Sequence, residues 1–595
     1  MCTYQRVSWG YWLKVLISFF TGIVLVVCTA YASPNTHTSF TKNEAFSQLL
    51  DEIWEYELTE FPSLARSQNL RPSAPIIDIS PEAIRLREKN FTDYLTQLNE
   101  LTESTLNDSE KISLYMQRYR LQNYLDEITY KAFRVPLTSE YGFHSSVAST
   151  ASNFQVSTPQ DIRDYVAFLQ AIPAYFSQNI AYMKAGLATG HVQPKAVLQA
   201  YEESISPYTQ ENYKEHPFLN PIISYGEKKL THQELDAIVQ AIKSAAKAYE
   251  DFYDFFVNEY RPNAKNNIAA TSWPAGKAYY ENRIRYYTTS DLSAKEIHKI
   301  GIEEVSRIRS EMKSIVEGLN FDGDISDFIR FLRTDSRFYA STPKELIVTA
   351  SYIAKQMDAK LPQLFYKMPR TPYGVAPVPD SIAPKYTTGR YISPRRDDQP
   401  GYYWVNTYAL DKRPKYALPA LTLHEAVPGH HFQISLAAEM DDLPNVRRST
   451  YISAFGEGWG LYAEFLGLEV GMYEDPYDNF GRLSYEMWRA CRLVVDTGMH
   501  VFGWTREEAL NYMLENTALS EHNVRTEIDR YISWPAQALS YKIGEIKIKS
   551  LRNQAEQALG KNFDLRAFHD AILANGSVPL FVLEKQIQAF IDTKR

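Results

Sequence analysis

Apolar residues recur at three- and four-residue spacing through most of this chain, the period of a helix with one buried face. The pattern runs from about residue 41 to 131, in FSQLLDEIWEYELTEFPSLA and LYMQRYRLQNYLDEITYKAF. It resumes in TPQDIRDYVAFLQAIPAYFSQNIAYMKAGLATG and in THQELDAIVQAIKSAAKAYEDFYDFFVNEY. In the first of this second pair Thr158 is placed to cap a helix, with Asp161 as its capping-box partner and Gly190 as the stop. The stretch VPLTSEYGFHSSVASTASNF, residues 135–154, carries Pro, Gly and Ser and reads as a long connection. Residues 368–419 are rich in Pro, Gly and Tyr and are not helical. Within them YYWVNTY, residues 402–408, has the aromatic and β-branched character and the Pro/Gly boundaries of a strand. Helical periodicity returns beyond Ala420. The expected fold is mostly α: a large helical body, with a helical N-terminal region over 41–367, a second region over 368–595, and a small sheet just before residue 420.

Composition narrows this little, because 595 residues that are 45% hydrophobic and 23% charged describe an ordinary folded protein with a large core. A net charge of -8 with no Lys/Arg block leaves no electrostatic footprint for nucleic acid, which is set aside. The N-terminus changes the picture more. Arg6 and Lys14 precede an apolar run from Val15 to Val27, followed by Ala30-Tyr31-Ala32, the order of a secretory signal cleaved after Ala32. Cys28 with Leu25 offers a lipoprotein signal instead, against a bulky Val27, and an uncleaved anchor is the third reading. All three export residues 33–595 to the periplasm or cell envelope, with membrane contact only through this segment. A chain beginning at Ser33 keeps Cys491 alone of Cys2, Cys28 and Cys491, so it forms no internal disulfide.

The chemistry centres on TLHEAVPGHHFQ, residues 422–433. A zinc-peptidase helix carries H-E-x-x-H, in which two His one turn apart hold the metal and the Glu works on water. Here Pro428 occupies the position of the second His. In a regular helix His424 and His430 would stand about 120° apart in azimuth and about 9 Å apart along the axis, and His431 about 10.5 Å along it. Pro428-Gly429 relaxes this, because a bulge or kink there absorbs two extra residues. The third ligand is expected from FGEGWGLYAE, where Glu457 lies between two glycines and Glu464 is placed to orient a His. Three His and a Glu within eight residues, in a chain with 12 His, point to a metal site, His424, one of His430 and His431, and Glu457 being the candidate ligands.

TLHEAVPGHHFQ, EGWGLYAE and RYISWPAQALSYKIG, with RIRYYTTSDLSAKEIHKIGIEEVSRI upstream, resemble the bacterial domain-of-unknown-function family 885 over most of the chain. The resemblance implies a fold similar to the Glu-zincin metallopeptidases, among which the carboxypeptidase Taq family has a comparable H-E-x-G-H block. Aligning the shared Gly-His then favours His430 over His431, and residues 368–595 become a metallopeptidase-like catalytic region.

The expected activity is that of a carboxypeptidase- or oligopeptidase-like enzyme hydrolysing a peptide substrate with one Zn2+ ion, other divalent metals also suiting these ligands. Glu425 would serve as general base, moving a proton from the attacking water to the leaving amine. Tyr541, His522 and Tyr531, in the late segment EHNVRTEIDRYISWPAQALSYKIG, are candidate donors to the developing oxyanion. Arg525 and Arg530 are candidates to bind a substrate C-terminal carboxylate as a bidentate pair. Tyr403, Trp404 and Asn406 become substrate-binding residues if their strand is an edge beside the metal. A zinc hydrolase of a cell-wall amide and a metal-free peptide-binding protein are the alternatives. His500, after an apolar run, reads as structural or as a partner of a ligand.

Overall fold

Helix starts in this chain are set by short polar side chains that turn back onto the first free N–H groups. Thr158 accepts from the Asp161 N–H, and Asp161 accepts from the Thr158 N–H at 2.7 Å. The same reciprocal box opens helices at Asn107, Thr231, Ser293 and Thr505. The helix after Thr158 stops at Gly190, whose φ of 83° suits a residue without a Cβ. The computed structural model describes residues 43–595 apart from 211, 227, 228, 381 and 395–397. The signal reading of residues 1–32 falls outside the described residues.

The principal helices are α1 (Glu44–Glu60), α2 (Pro81–Glu100), α3 (Asp108–Thr129), α4 (Phe143–Ser152), α5 (Pro159–Thr189), α6 (His232–Phe255) and α7 (Ala294–Gly318). After a sheet follow α8 (Leu418–Glu425), α9 (His430–Ala438), α10 (Ser453–Glu469), α11 (Pro476–His500), α12 (Glu521–Ser533) and α13 (Ser540–Leu559). Helix α4 corrects the expectation of a structureless connection over 135–154. Its Ser residues conceal a helical set, Phe143, Val147, Ala148 and Ala151, all buried, and the Ser145 hydroxyl accepts from the Gly142 N–H to close its first turn.

One core runs through α5, α6, α7, α10, α11 and α13, so residues before and after 368 pack into the same body. Helices α1 to α3 hold a satellite core of Phe46, Leu50, Ile53, Phe91, Leu98, Leu114 and Leu121. Among the described residues no helix is long and apolar enough to cross a membrane.

The sheet has strands β1 (Tyr373–Pro377), β2 (Gly389–Ile392) and β3 (Gly401–Val405) in the order β1-β3-β2, β1 running parallel and β2 antiparallel to β3. The expected strand is therefore present as Gly401–Val405, but at the centre of the sheet. With β1 hydrogen-bonded along one side and β2 along the other, β3 has no edge for a peptide to join.

Candidate metal centre

The stretch HEAVPGH is the end of one helix, a turn, and the start of another. Helix α8 ends at Glu425 and α9 begins at His430, so the expected bulge is a complete break. Ala426 (φ -95°, ψ -109°) and Gly429 (φ -79°, ψ -127°) leave the helical region, and Pro428 has no N–H with which to continue the ladder. The Val427-Pro428 bond is cis. A Cβ at Gly429 would lie 1.9 Å from the His424 carbonyl oxygen, so only glycine fits there. The Pro428 carbonyl accepts from Trp459 Nε1 at 2.7 Å, which ties the break to α10.

The break returns His430 to His424, with ring centroids 4.7 Å apart. Glu457 comes up from α10, its Oε2 3.3 Å from His430 Nε2 and 3.6 Å from His424 Nε2. One donor atom from each of the three lies within 4.8 Å of the others. A zinc-sized cation takes such donors at roughly 2.0–2.2 Å each, so this set fits one with small movements. Close passage of α10 is part of the arrangement, since a Cβ at Gly460 would stand 2.7 Å from His424 Cε1.

The far side of each imidazole is also held. His424 Nδ1 lies 2.8 Å from Glu464 Oε1, the orienting contact expected of Glu464, and Arg489 Nη2 is 3.3 Å from the same oxygen. His430 Nδ1 lies 2.9 Å from the amide nitrogen of Gln433, which also donates to the Gly456 carbonyl. Burial opposes a charge on His424, but Glu457 and Glu464 outweigh it and hold its pKa up to about 10. Burial likewise opposes the charge on Glu457, and His430 and His424 more than reverse it, holding that carboxyl well below its usual range. Buried carboxylates bonded to imidazoles make an electrostatic setting that suits a cation.

His431 is not part of this set. One residue further along the helix it turns about 100° away. Its Nδ1 lies 3.1 Å from the Tyr391 hydroxyl and 3.2 Å from Ser435 Oγ, and its ring packs 4.6 Å from that of Tyr373. Burial lowers its pKa to about 4.

His424, His430, Glu457 and Glu425 line one cavity of about 610 Å³. Glu425 Oε2 accepts from the backbone N–H of Tyr391 at 2.7 Å. That N–H points away from β3, so β2 turns its free edge to the cavity, which Gly389, Arg390 and Tyr391 help to line. Tyr541 lines it too, its ring stacked 6.4 Å from His424 and its hydroxyl 3.4 Å from Arg530 Nη2.

Other sequence candidates stand elsewhere. Tyr531 is buried in the wall behind, its hydroxyl donating to Glu527 at 2.7 Å and accepting from Arg492 Nε and Trp488 Nε1. His522 is exposed and does not line the cavity. Arg525 is exposed and paired with Glu521 one turn back, whereas Arg530 does line the cavity. Tyr403 is buried beneath the sheet, with its hydroxyl 3.4 Å from Thr422 Oγ1, and Trp404 packs on Tyr386. The Asn406 amide is spent on the carbonyls of Ala383, Tyr386 and Thr387. These three follow from the central place of β3. His500 is structural: Nδ1 accepts from the Ala270 N–H at 3.0 Å, and Nε2 lies 3.0 Å from the Tyr531 carbonyl.

Sequence reasoning missed Tyr391, Gln433, Tyr451 and the cavity arginines other than Arg530, namely Arg390, Arg489 and Arg492. Tyr451 donates to Glu457 Oε1 at 3.2 Å. Tyr391 acts through its backbone, which carries no residue signal, while Gln433, one turn after His430, was visible as a neighbour on the same helix face.

Two solved structures share this fold over nearly the whole chain. One, from Colwellia psychrerythraea and described as a "putative lipoprotein", has a TM-score of 0.83 and 29% identity, covering 92% of this chain and 99% of its own. Another, from Shewanella oneidensis and described as a lipoprotein of unknown function in the same qualified terms, has a TM-score of 0.75 and 18% identity, covering 91% and 99%. Comparison with curated proteins finds no match. The family model described as bacterial protein of unknown function, DUF885, matches residues 62–587, and the chain belongs to that family.

Proposed function

We propose that this protein is an exported, metal-dependent peptidase that hydrolyses peptide bonds with Glu425 as general base. The observation that carries the reading is the convergence of His424, His430 and Glu457 in the cavity that Glu425 also lines. These three residues would hold one divalent ion, zinc by ligand type. When bound, that ion supplies Lewis acidity, lowering the pKa of water and stabilising developing negative charge on oxygen.

The protein's own residues supply the rest. Glu425 Oε1 removes a proton from the attacking water and returns it to the leaving amine, while the Tyr391 N–H keeps Oε2 in place. Glu464 and Gln433 fix the planes of the two imidazoles, and Tyr451 restrains Glu457. The Tyr541 hydroxyl, on a ring stacked 6.4 Å from that of His424, would donate to the oxyanion. Extended substrate lies along the outer edge of β2, beside the Tyr391 N–H that Glu425 occupies, and β2 takes the part expected of β3. The Glu-zincin resemblance of the motif supports the reaction class, and the lipoprotein description of the Colwellia structure supports export.

Metal analysis of the purified protein tests the reading. Wild type should carry about one zinc per chain, lost in His424→Ala, His430→Ala and Glu457→Gln. A wild-type protein that takes up no divalent metal, even after incubation with zinc, would sink it.

A further inference from the structure

Arg530, on α12, is a fixed guanidinium whose charge is only partly met. Its Nη2 donates to Gln537 Oε1 at 2.8 Å and lies 3.4 Å from the Tyr541 hydroxyl, and its plane rests 5.7 Å from the ring of Trp534. Its ion pair with Glu527 is long, at 3.6 Å. Glu527 is otherwise engaged, with Arg492 Nη2 at 2.9 Å and the Tyr531 hydroxyl at 2.7 Å. Nε of Arg530 is buried without a partner. Arg390, exposed on β2 with its guanidinium 5.6 Å from the ring of Tyr386, lines the same cavity. Glu140, exposed and also lining the cavity, offsets part of this charge.

Two guanidinium groups from separate elements thus line one cavity, and a guanidinium is the side chain best matched to a planar carboxylate. Tyr541 connects this place to the metal centre, since its ring stacks on His424 and its hydroxyl meets Arg530. A peptide advances roughly 3.5 Å per residue, so Arg530, reached through Tyr541, stands about one to three residues from the His/Glu set. Trp488, Arg492 and Glu527, all buried, line the cavity around Arg530.

We propose that Arg530 and Arg390 form a subsite for the C-terminal α-carboxylate of a peptide, so that the enzyme acts from the C-terminal end. This rests on the peptidase reading above and adds exo-action to it. Hydrolysis adds one water across the scissile amide, leaving a new carboxylate on the N-terminal fragment and a free amine on the short C-terminal fragment released.

The test uses acetyl-Ala-Ala-Phe-Ala as the free acid, the same peptide as its C-terminal amide, and acetyl-Ala-Ala-Phe-Asp amide, which carries its carboxylate on a side chain. With zinc-loaded protein, kcat/KM and product masses are measured for each peptide. Calorimetric affinity for the same peptides is measured separately on Glu425→Gln. The free acid should be preferred over the first amide by at least about tenfold, mainly through KM. Arg530→Gln and Arg390→Gln should abolish the preference, and Arg530→Lys should keep part of it. Equal cleavage and equal affinity for acid and amide overturn the proposal and leave the peptidase reading standing. An Asp amide used as well as the free acid overturns the α-carboxylate in favour of an acidic side chain. If no peptide is cleaved but the free acid still binds preferentially, the peptidase reading fails and the carboxylate subsite stands. If nothing is cleaved or bound, both fall.

Discussion

The N–H of Tyr391 donates to Oε2 of Glu425 at 2.7 Å, joining an edge strand to the end of the motif helix across 34 residues of sequence. One backbone bond thus sets both the aim of the candidate base and the position of the strand that borders the cavity. Since the bond is to a carboxylate that an amide can imitate, Glu425→Gln should leave the fold and the metal content in place. Its kcat on a cleavable peptide should fall by roughly 10²–10⁴. A variant that keeps activity within a few-fold of wild type would remove Glu425 from the mechanism.

His430 and His431 are adjacent yet face different surroundings. His430→Ala should lose bound metal. His431→Ala should retain it, while losing on the order of 1–3 kcal/mol of stability from its contacts with Tyr391, Ser435 and Tyr373. Metal content and a denaturant midpoint on both variants separate the two roles, and metal loss in His431→Ala with retention in His430→Ala would reverse the assignment.

Gly460 gives a steric probe of the centre without replacing any of its candidate ligands. A methyl group there would come 2.7 Å from His424 Cε1 and 2.9 Å from its Nε2, so Gly460→Ala must push the imidazole aside. We expect metal affinity to drop at least about tenfold, with helicity by circular dichroism preserved. Unchanged affinity would show that α10 can withdraw.

Buried neutral histidines should make the fold sensitive to acid. Burial lowers the pKa of His500 to about 4 and that of His569 to about 3. A depressed histidine binds its proton more readily when unfolded, so its contribution is present above the unfolded value near 6.5 and is lost as pH falls toward the folded value. For His500 the window is pH 6.5 to about 4, at about 1.4 kcal/mol per pH unit. Unfolding free energies of wild type and His500→Gln between pH 7.5 and 4.5 should therefore converge as pH falls. A constant gap would mean that His500 does not titrate differently on folding.

Lys542 is buried on α13 against three carboxylates, Glu545 at 2.6 Å, Glu486 at 2.8 Å and Glu304 at 2.9 Å. Lys542→Met fills the space but strands those charges, and should cost about 3–5 kcal/mol. A loss below 1 kcal/mol, read from chemical denaturation, would show that water or Arg307 takes over.

What the sequence determined by itself was local. Most helix positions, the capping at Thr158 and Gly190, and the candidacy of His424 and Glu425 depend on residues a few places apart, whose geometry follows from helix periodicity and side-chain chemistry. The Pro-Gly insertion in the motif was legible as a departure from the helix. Whether His430 or His431 met His424 was not legible from spacing, because it turns on the backbone angles of Ala426 and Gly429 and on the bond from Trp459 to the Pro428 carbonyl. Tertiary structure alone decided that β2 and not β3 borders the cavity, since strand order depends on which distant segments pair. It also decided that Arg530 faces the cavity while Arg525, five residues earlier and about 140° around the same helix, faces solvent. A helix period tells which residues share a face; only the packing of α12 against its neighbours tells which face looks inward.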